Sequence, residues 1–503
     1  MAINTPNWVK DAIFYQIFPD RFAMSKRVTK LGLRLEPWES TPTSHGFKGG
    51  DLLGIVEHLD YLHELGINAI YLNPITASAS NHRYHTYDYF HIDPLLGGDA
   101  AFRELLDAAH ARGIRIVPDG VFNHASRGFW QFHHVLENGD GSPYVDWFYF
   151  HPDRLNRQKH WGTYPTEHEQ RQLNSGASSY DAIGYRAWWN LPALPKFNTN
   201  TPAVREFLCS AAEHWIKFGA DGWRLDVAAE IDDDSFWQEF RRRVRRANPE
   251  AYIVAEIWHE SQRWLQGDQF DAVMNYLFTG AVIGWLVGEK MSDEVYKIGD
   301  YRKYLRPLKA NEFADRIDYL LRLYDPSINF VQFNLLDSHD TPRFLTIANG
   351  DLTTLKLAYL LLFTYVGAPC IYYGDEIGLD GGPDPACRKS FPWDRNGWNR
   401  ELLTYVKTLT ALRKSQPALR GGTFHRLYAD HNIYAFARKL GTQRVVVVMN
   451  ASYSTHNVNI PVSGTGIPNG PITLLFGEGK ARVSEGQIHG LKLAPRSGIV
   501  FKA

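Results

Sequence analysis

Three acidic residues that follow short apolar runs are the candidates for chemistry in this chain, namely Asp226, Glu256 and Asp340. Arg224 stands two positions before Asp226, so in an extended strand both side chains point to the same face. A neighbouring guanidinium favours the ionised form of a carboxyl group, and an ionised, oriented carboxylate can act as a nucleophile. We therefore expect Arg224 to lower the pKa of Asp226. A purely structural Arg–Asp pair at a strand end would give the same local pattern.

The elements that must position these residues form an alternating series. Eight apolar runs end in polar residues, at 13–18, 69–73, 114–119, 221–227, 252–256, 272–275, 330–337 and 369–374. Between them, apolar residues recur every three or four positions at 52–65, 100–112, 203–218, 235–247, 313–324 and 352–365. Strands that alternate with helices favour parallel pairing and right-handed crossovers. The pattern predicts an α/β fold in which eight units close as a (β/α)8 TIM barrel.

In such a barrel the active site lies at the C-terminal ends of the strands. The polar residues at those ends are Asp119, Asn123, His124, Asp226, Glu256, His339 and Asp340. Other interpretations stay open for single members of this set. Asp340 could be a helix N-cap, and His124 and His339 could be core histidines or, with Asp119, metal ligands. No HxH or HxxxH spacing joins the two histidines, which argues against a metal site.

Two further regions depart from the repeat. Residues 125–202 are rich in turn residues and aromatic residues, and they predict a subdomain inserted after the third strand, overhanging the active site. Residues 420–503 contain short alternating runs between Gly, Pro and Asn turns, which are typical of an antiparallel β-sandwich. The catalytic barrel is then expected to comprise residues 1–124 and 203–419.

The composition of the 503-residue chain excludes some classes of partner. The net charge is −1 with both signs abundant, so neither nucleic acid nor an anionic membrane is favoured as a partner. Cys209, Cys370 and Cys387 are an odd number of widely spaced cysteines, which fits reduced thiols. The N-terminal residues lack the pattern of a signal peptide, and no run of about 18 apolar residues occurs. We expect a cytoplasmic protein that acts on an uncharged partner.

Several motifs resemble a known family. Residues 119–124 (DGVFNH), 222–226 (GWRLD), 256–259 (EIWH) and 336–340 (LDSHD) resemble, in this order, the four signature regions of the α-amylase family of glycoside hydrolases. Residues 194–198 (LPKFN), 371–378 (IYYGDEIG) and 381–388 (GGPDPACR) are similar to the cyclomaltodextrinase, neopullulanase and maltogenic amylase branch. Members of that branch usually carry an N-terminal β-domain, whereas this sequence begins directly at the first barrel strand.

The resemblance implies roles for ten residues. It implies that Asp226 is the nucleophile, Glu256 the general acid/base and Asp340 the stabiliser of an oxocarbenium-like transition state. Tyr84 is implied as a stacking platform for the reacting sugar, and His124, Arg224 and His339 as residues that bind its hydroxyls or orient the carboxylates. Asp384 and Arg388 resemble contacts on the non-reducing side, and Trp258 a contact on the leaving-group side.

The chain departs from the branch at positions that affect substrate preference. It has Ala229 where the branch commonly has Asn, Ala255 where it has Gly, and His85 where it has an acidic residue. The loop after the first strand also differs. Relatives often bind calcium there, but residues 23–30 contain three cationic residues and no acidic one, so we predict no calcium at this loop. Asn123 could still bind calcium elsewhere, and we predict no cofactor.

The resemblance implies a retaining hydrolase of α-glucosidic linkages in short, cyclic or branched malto-oligosaccharides. The expected linkage is α-1,4, with α-1,6 as a second option. A transglycosylase on the same substrates would use the same three carboxylates, and a catalytically inactive, amylase-like binding protein is the alternative from another class. The expected partner is an oligosaccharide, and a homodimer is one option for the assembly.

Overall fold

All eight predicted runs form buried parallel strands. In the computed structural model, which describes residues 3–30, 32–155, 164–293 and 305–503, they are β1 (Phe14–Ile17), β2 (Ala69–Leu72), β3 (Arg115–Gly120), β4 (Gly222–Leu225), β5 (Tyr252–Ala255), β6 (Ala272–Val273), β7 (Phe333–Asn334) and β8 (Ala368–Tyr372). Every strand residue except Arg115 is buried. Burial of both faces explains why these runs are almost continuously apolar instead of alternating.

The strands pair in a ring. Their order is β6-β5-β4-β3-β2-β1-β8-β7, and each neighbouring pair is parallel. Met274, the residue after β6, forms a parallel bridge with Phe333 of β7 and so closes the ring. The predicted TIM barrel is confirmed, and the C-terminal ends of all eight strands lie at one end of it.

Helices cover the outside of the barrel. The six predicted helical stretches are present as Leu52–Glu57 with Leu59–Leu65, Gly98–His110, Pro202–Phe218, Asp234–Ala247, Ala310–Leu323 and Leu352–Thr364. Among the described helices of the barrel that are longer than ten residues, Tyr276–Leu286 and Arg400–Ser415 were not predicted. Tyr276–Leu286 is buried on every side, so its sequence lacks the polar face that reveals a helix. No helix within the described ranges combines the length and apolarity needed to cross a membrane.

The segment that follows β3 leaves the barrel. It contains the helices Trp130–Asn138, Glu167–Asn174 and Ser179–Ile183, none of which the sequence analysis predicted. Its aromatic residues form a core, in which the buried Phe132 ring lies 5.0 Å from both Phe148 and Tyr185. Residues 156–163 of the predicted insertion lie outside the described residues.

The C-terminal region is an antiparallel β-sandwich, as predicted. Its strands are β9 (Thr423–Asp430), β10 (Ile433–Leu440), β11 (Gln443–Asn450), β12 (His456–Pro461), β13 (Gly470–Phe476), β14 (Ala481–Ser484), β15 (Gln487–Leu493) and β16 (Ser497–Lys502). They pair in the order β9-β10-β11-β16-β13-β14-β15-β12, and Ile433, Val446 and Leu493 belong to a separate core between them. The boundaries at residues 124, 202 and 419 stay a prediction.

The first residue of β4 has no room for a side chain. A Cβ atom on Gly222 would lie 2.1 Å from the carbonyl oxygen of Tyr252 in β5. We expect Gly222→Ala to lower the free energy of unfolding by about 3 kcal/mol in urea titrations, because β4 and β5 would have to separate. Gly397→Ala is the control, since no atom lies within 4 Å of its added Cβ. Equal effects of the two substitutions would contradict this expectation.

Candidate active site

The candidate carboxylates lie at the ends of adjacent strands. Asp119 of β3 is paired in register with Arg224 of β4. Asp226 and Glu256 are the first residues after β4 and β5, and their N–H groups extend the strand pairing by donating to Gly120 O (3.0 Å) and Leu225 O (2.8 Å). Their side chains are only 8% and 6% exposed. The parallel sheet thus aligns three buried carboxyl groups on one edge.

A single guanidinium contacts all three of these carboxyl groups. Arg224 Nη1 donates to Asp119 Oδ1 and Oδ2 (2.9 and 2.8 Å) and to Asp226 Oδ1 (3.2 Å). Arg224 Nη2 lies 2.9 Å from Glu256 Oε2. Arg224 is itself 1% exposed, so its charge is screened little by water. One positive charge therefore serves several buried negative charges.

The pKa of Asp226 is shifted in the direction opposite to the expected one. Burial raises the pKa of Asp226 well above its usual range, and Glu256, Asp119 and Asp340 raise it further, while Arg224 acts in the opposite direction. The expectation of a lowered pKa is wrong, because burial and the neighbouring carboxyl groups outweigh the effect of Arg224. With carboxyl groups in excess of cations, we infer that the cluster retains a proton near neutral pH.

Both oxygens of Glu256 are held by neighbouring groups. The Val227 N–H donates to Oε2 (3.1 Å), and the Trp258 indole N–H donates to Oε1 (2.9 Å). The Trp258 ring is in turn stacked on Tyr276, with 3.6 Å between ring centroids and 4° between planes. The orientation of the Glu256 carboxyl group is therefore fixed before any substrate arrives.

Tyr84 and His339 extend the cluster toward β1 and β2. The Tyr84 hydroxyl donates to Asp119 Oδ2 (2.7 Å) and lies 2.6 Å from His339 Nε2. Gln16 Nε2 lies 2.9 Å from His339 Nδ1, and an amide nitrogen can only donate. Nδ1 must then be the acceptor, so the proton of the imidazole is on Nε2. Burial lowers the pKa of His339 well below its usual range, which keeps the ring neutral.

Asp340 is connected to the loop after β8. Its Oδ2 lies 3.2 Å from His339 Nε2, and its Oδ1 accepts from Arg388 Nη2 at 3.1 Å. Arg388 Nη1 pairs with Asp384 Oδ1 at 3.1 Å, and the Arg388 guanidinium also lies over the Phe18 ring. The structure therefore joins nine of the ten predicted site residues in one network of contacts.

The tenth residue, His124, contacts the inserted segment. Its ring stacks on Trp188 (5.2 Å between centroids, 16° between planes), and Trp188 stacks on Trp189 (4.6 Å, 9°). Trp189 is 74% exposed, so the stack runs from a buried imidazole to the surface. His124 Nε2 is buried and has no hydrogen-bond partner among the described residues. Burial first, and then His85, lowers the pKa of His124 to about 3.

Sequence reasoning missed several residues of this network. Gln16 and Asn73 are polar residues in or directly after buried strands, a signal that could have identified them. Asn73 Nδ2 donates to the Tyr84 hydroxyl at 3.0 Å. Val227 and Tyr276 are apolar or aromatic residues in apolar surroundings, and no sequence signal separates them from core residues.

The loop after β1 places a lysine ammonium next to a buried carboxylate. Lys30 Nζ lies 3.2 Å from Asp51 Oδ2, and the Lys30 side chain is 9% exposed. It also donates to the Leu95 carbonyl oxygen. Calcium binds to oxygen ligands, and a cationic ammonium group next to these oxygens disfavours a second cation there. The lack of calcium at this loop stays a prediction.

A closed parallel barrel with buried carboxyl groups at adjacent strand ends is an arrangement found in (β/α)8 glycoside hydrolases. Comparison with known proteins identifies the family. The model of the α-amylase catalytic domain matches residues 16–399, and that of the neopullulanase-like C-terminal domain matches residues 424–502. The chain belongs to the α-amylase family, and it is a glycoside hydrolase.

Individual relatives are similar to this protein over nearly the whole chain. A cyclomaltodextrinase from Bacillus sp. is 45% identical over 94% of this chain and 77% of its own length. The solved structure of a debranching enzyme from Nostoc punctiforme is 48% identical, with a TM-score of 0.86 and full coverage of both chains. A cyclic α-maltosyl-(1→6)-maltose hydrolase from Arthrobacter globiformis is 35% identical, with a TM-score of 0.83 over 99% of this chain and 100% of its own.

The neutral, buried His124 predicts a loss of stability in acid. Its pKa is lower in the folded than in the unfolded chain, so stability is complete above about pH 6.5 and falls as the pH approaches 3. For this residue alone, the loss between pH 7 and pH 4 is roughly 3 kcal/mol. In denaturant titrations at both pH values, the free energy of unfolding should depend less on pH in His124→Asn than in the wild type. The exposed His63→Asn is the control, and an unchanged pH dependence in His124→Asn would refute the prediction.

Proposed function

We propose that this protein is a retaining hydrolase of α-glucosidic linkages in short, cyclic or branched malto-oligosaccharides. The proposed linkages are α-1,4 and, as a second substrate class, α-1,6. The observation that carries the proposal is that Asp226 and Glu256 both lie within 3.2 Å of the Arg224 guanidinium. Both carboxyl groups thus face one cation at the end of the barrel, and the resemblance to the family implies the retaining arrangement, in which they lie about 5 Å apart. The names of the relatives support the choice of substrate.

The proposed reaction has two steps. In the first step, the Glu256 carboxyl group donates its proton to the glycosidic oxygen, the C1–O bond breaks, and Asp226 forms a bond to C1. In the second step, Glu256 removes a proton from water, the water oxygen attacks C1, and the bond to Asp226 breaks. Within the described residues Asp226 Oδ2 accepts no hydrogen bond, whereas Oδ1 accepts from Arg224, so Oδ2 is the proposed attacking atom.

The other site residues would bind the sugar around this reaction. Asp340 supplies negative charge to the oxocarbenium-like transition state, and His339 supplies a neutral N–H donor beside it. Tyr84 provides a ring for stacking on the reacting glucose unit. His124 Nε2, which has no hydrogen-bond partner in the described ranges, is a further candidate for binding a sugar hydroxyl.

The remaining contacts would lie on either side of the reacting sugar. Asp384 and Arg388 are proposed for the non-reducing side, and Trp258 for the leaving-group side. The Asp384–Arg388 ion pair and the Trp258–Tyr276 stack hold these side chains in place. Transglycosylation differs from hydrolysis only in whether a sugar hydroxyl or water attacks the glycosyl-enzyme.

We also propose a cytoplasmic location and a homodimeric assembly. Cys209, Cys370 and Cys387 are all free and buried, which fits a reducing compartment. Size-exclusion chromatography with light scattering would measure the mass of the assembly, and a mass of one chain would refute the dimer.

The assignment of the carboxyl groups is tested by isosteric amides. Asp226→Asn and Glu256→Gln should each lower kcat at least about 100-fold while the protein stays folded, because loss of a positioned acid, base or nucleophile has effects of that size. Asp107→Asn, which changes a carboxylate that is 68% exposed on an outer helix, is the control and should leave kcat unchanged. A variant of Asp226 or Glu256 that kept more than about a tenth of the activity would show that the roles are wrong.

The stack of His124, Trp188 and Trp189 predicts a preference for compact substrates. We expect kcat/KM for cyclic or short malto-oligosaccharides to exceed that for soluble starch by at least about tenfold, which corresponds to roughly 1.4 kcal/mol of transition-state binding. Trp189→Ala should reduce this ratio, since it removes the exposed end of the stack. Side-by-side assays that showed equal or faster hydrolysis of starch would contradict the preference.

A further inference from the structure

Val227, the residue after Asp226, has an unusual backbone conformation. Its dihedral angles are φ 39° and ψ 44°, in the left-handed region. A branched Cβ is strained in that region, and among the non-glycine residues with positive φ that the structure describes, Val227 alone is β-branched. Such strain persists only where surrounding structure enforces it, and it is often found at functional sites.

The N–H group of Val227 faces the neighbouring strand. Instead of extending β4, this N–H donates to Glu256 Oε2 at 3.1 Å. Arg224 Nη2 lies 2.9 Å from the same oxygen. A proton on Oε2 would thus face a backbone donor and a guanidinium at hydrogen-bond distance, which disfavours it there.

The other oxygen of Glu256 has a different environment. Oε1 accepts a hydrogen bond from the Trp258 indole N–H at 2.9 Å, and this is its one hydrogen bond within the described residues. An oxygen of a carboxyl group has two lone-pair positions, so Oε1 retains one for a proton. Because Trp258 is fixed by stacking on Tyr276, the direction of that proton is fixed as well.

We propose that Val227 is a positioning residue for the acid–base reaction, because its N–H, together with Arg224, occupies Glu256 Oε2 and confines the transferable proton to Oε1. This inference rests on the proposed function, which assigns the acid–base role to Glu256. The proton leaves Oε1 for the glycosidic oxygen in the first step and returns to Oε1 from water in the second. The alternative is that the strain of Val227 serves only the following turn, Ala228–Glu230.

An amide-to-ester replacement tests the N–H directly. Incorporation of the α-hydroxy analogue of valine at position 227 removes this N–H and keeps the side chain. The ionised form of Glu256 then loses one hydrogen bond, so the alkaline limb of the kcat/KM profile should move up by about one pH unit. The matched control is the ester at Ile231, whose N–H donates to Ala228 O (3.2 Å) in the same turn and does not contact Glu256.

The outcomes separate the two explanations. The proposal is supported if the alkaline limb of the kcat/KM profile shifts for the ester at 227 and does not shift for the ester at 231. Equal profiles for the wild type and the ester at 227, or equal shifts for both esters, overturn it. The proposed function is tested separately, because high activity of E256Q would refute the role of Glu256 whatever the esters do.

A stability measurement tests which way the side chain of residue 256 is oriented, even if the ester at 227 does not fold. In E256Q the side-chain amide has a single oxygen, and we expect this oxygen to face Val227 and Arg224. The amide NH2 group would then face the Trp258 N–H, so the hydrogen bond that Trp258 donates to residue 256 would be lost. Trp258→Phe should then raise the unfolding equilibrium constant about tenfold less in the E256Q background than in the wild type. The stacking of Trp258 on Tyr276 is common to both backgrounds and cancels. An equal effect in both backgrounds would show that the oxygen faces Trp258, and would overturn the assignment.

Discussion

The site depends on one buried cation, the Arg224 guanidinium. It lies between Asp119, Asp226 and Glu256, at 2.8 to 3.2 Å from an oxygen of each. Three carboxyl groups this close repel one another, and burial strengthens that repulsion because water cannot screen it. The parallel pairing of β3, β4 and β5 supplies the rigid frame that holds them, and Arg224 supplies the attraction. Loss of the guanidinium would leave an uncompensated cluster of buried carboxyl groups.

Three polar residues near this cluster, His339, His124 and Tyr84, are uncharged. His339 and His124 are both buried, and burial lowers the pKa of each, so their rings stay neutral over the physiological range. Tyr84 is likewise neutral, because burial raises its pKa. Charge changes during the reaction are therefore confined to the carboxyl groups. Neutral donors in a site that excludes water can stabilise a developing charge without a change of their own protonation.

The proposed function assigns catalysis and substrate specificity to different parts of the chain. The carboxyl groups belong to the barrel, whose strands hold them rigidly. The stack of His124, Trp188 and Trp189 extends into the inserted segment, and Trp189 and Asn190 both adopt positive φ there. Loops on a rigid scaffold can vary without disturbing the chemistry below. The departures at His85, Ala229 and Ala255 are compatible with this division, since none of them changes Asp226, Glu256 or Asp340.

The sequence by itself determined the barrel, the sandwich and the carboxyl groups, because buried parallel strands and polar residues at their ends leave a direct pattern. It missed helix Tyr276–Leu286, whose full burial removes periodicity, and the helices of the inserted segment. From spacing alone, the sequence also predicted that Arg224 pairs with Asp226, and it indicated no other carboxyl group as a partner. Only the tertiary structure decided that Arg224 is shared, that Val227 is left-handed and that Trp258 donates to Glu256. These features join residues far apart in the chain or depend on a backbone angle, and spacing along one strand cannot encode either.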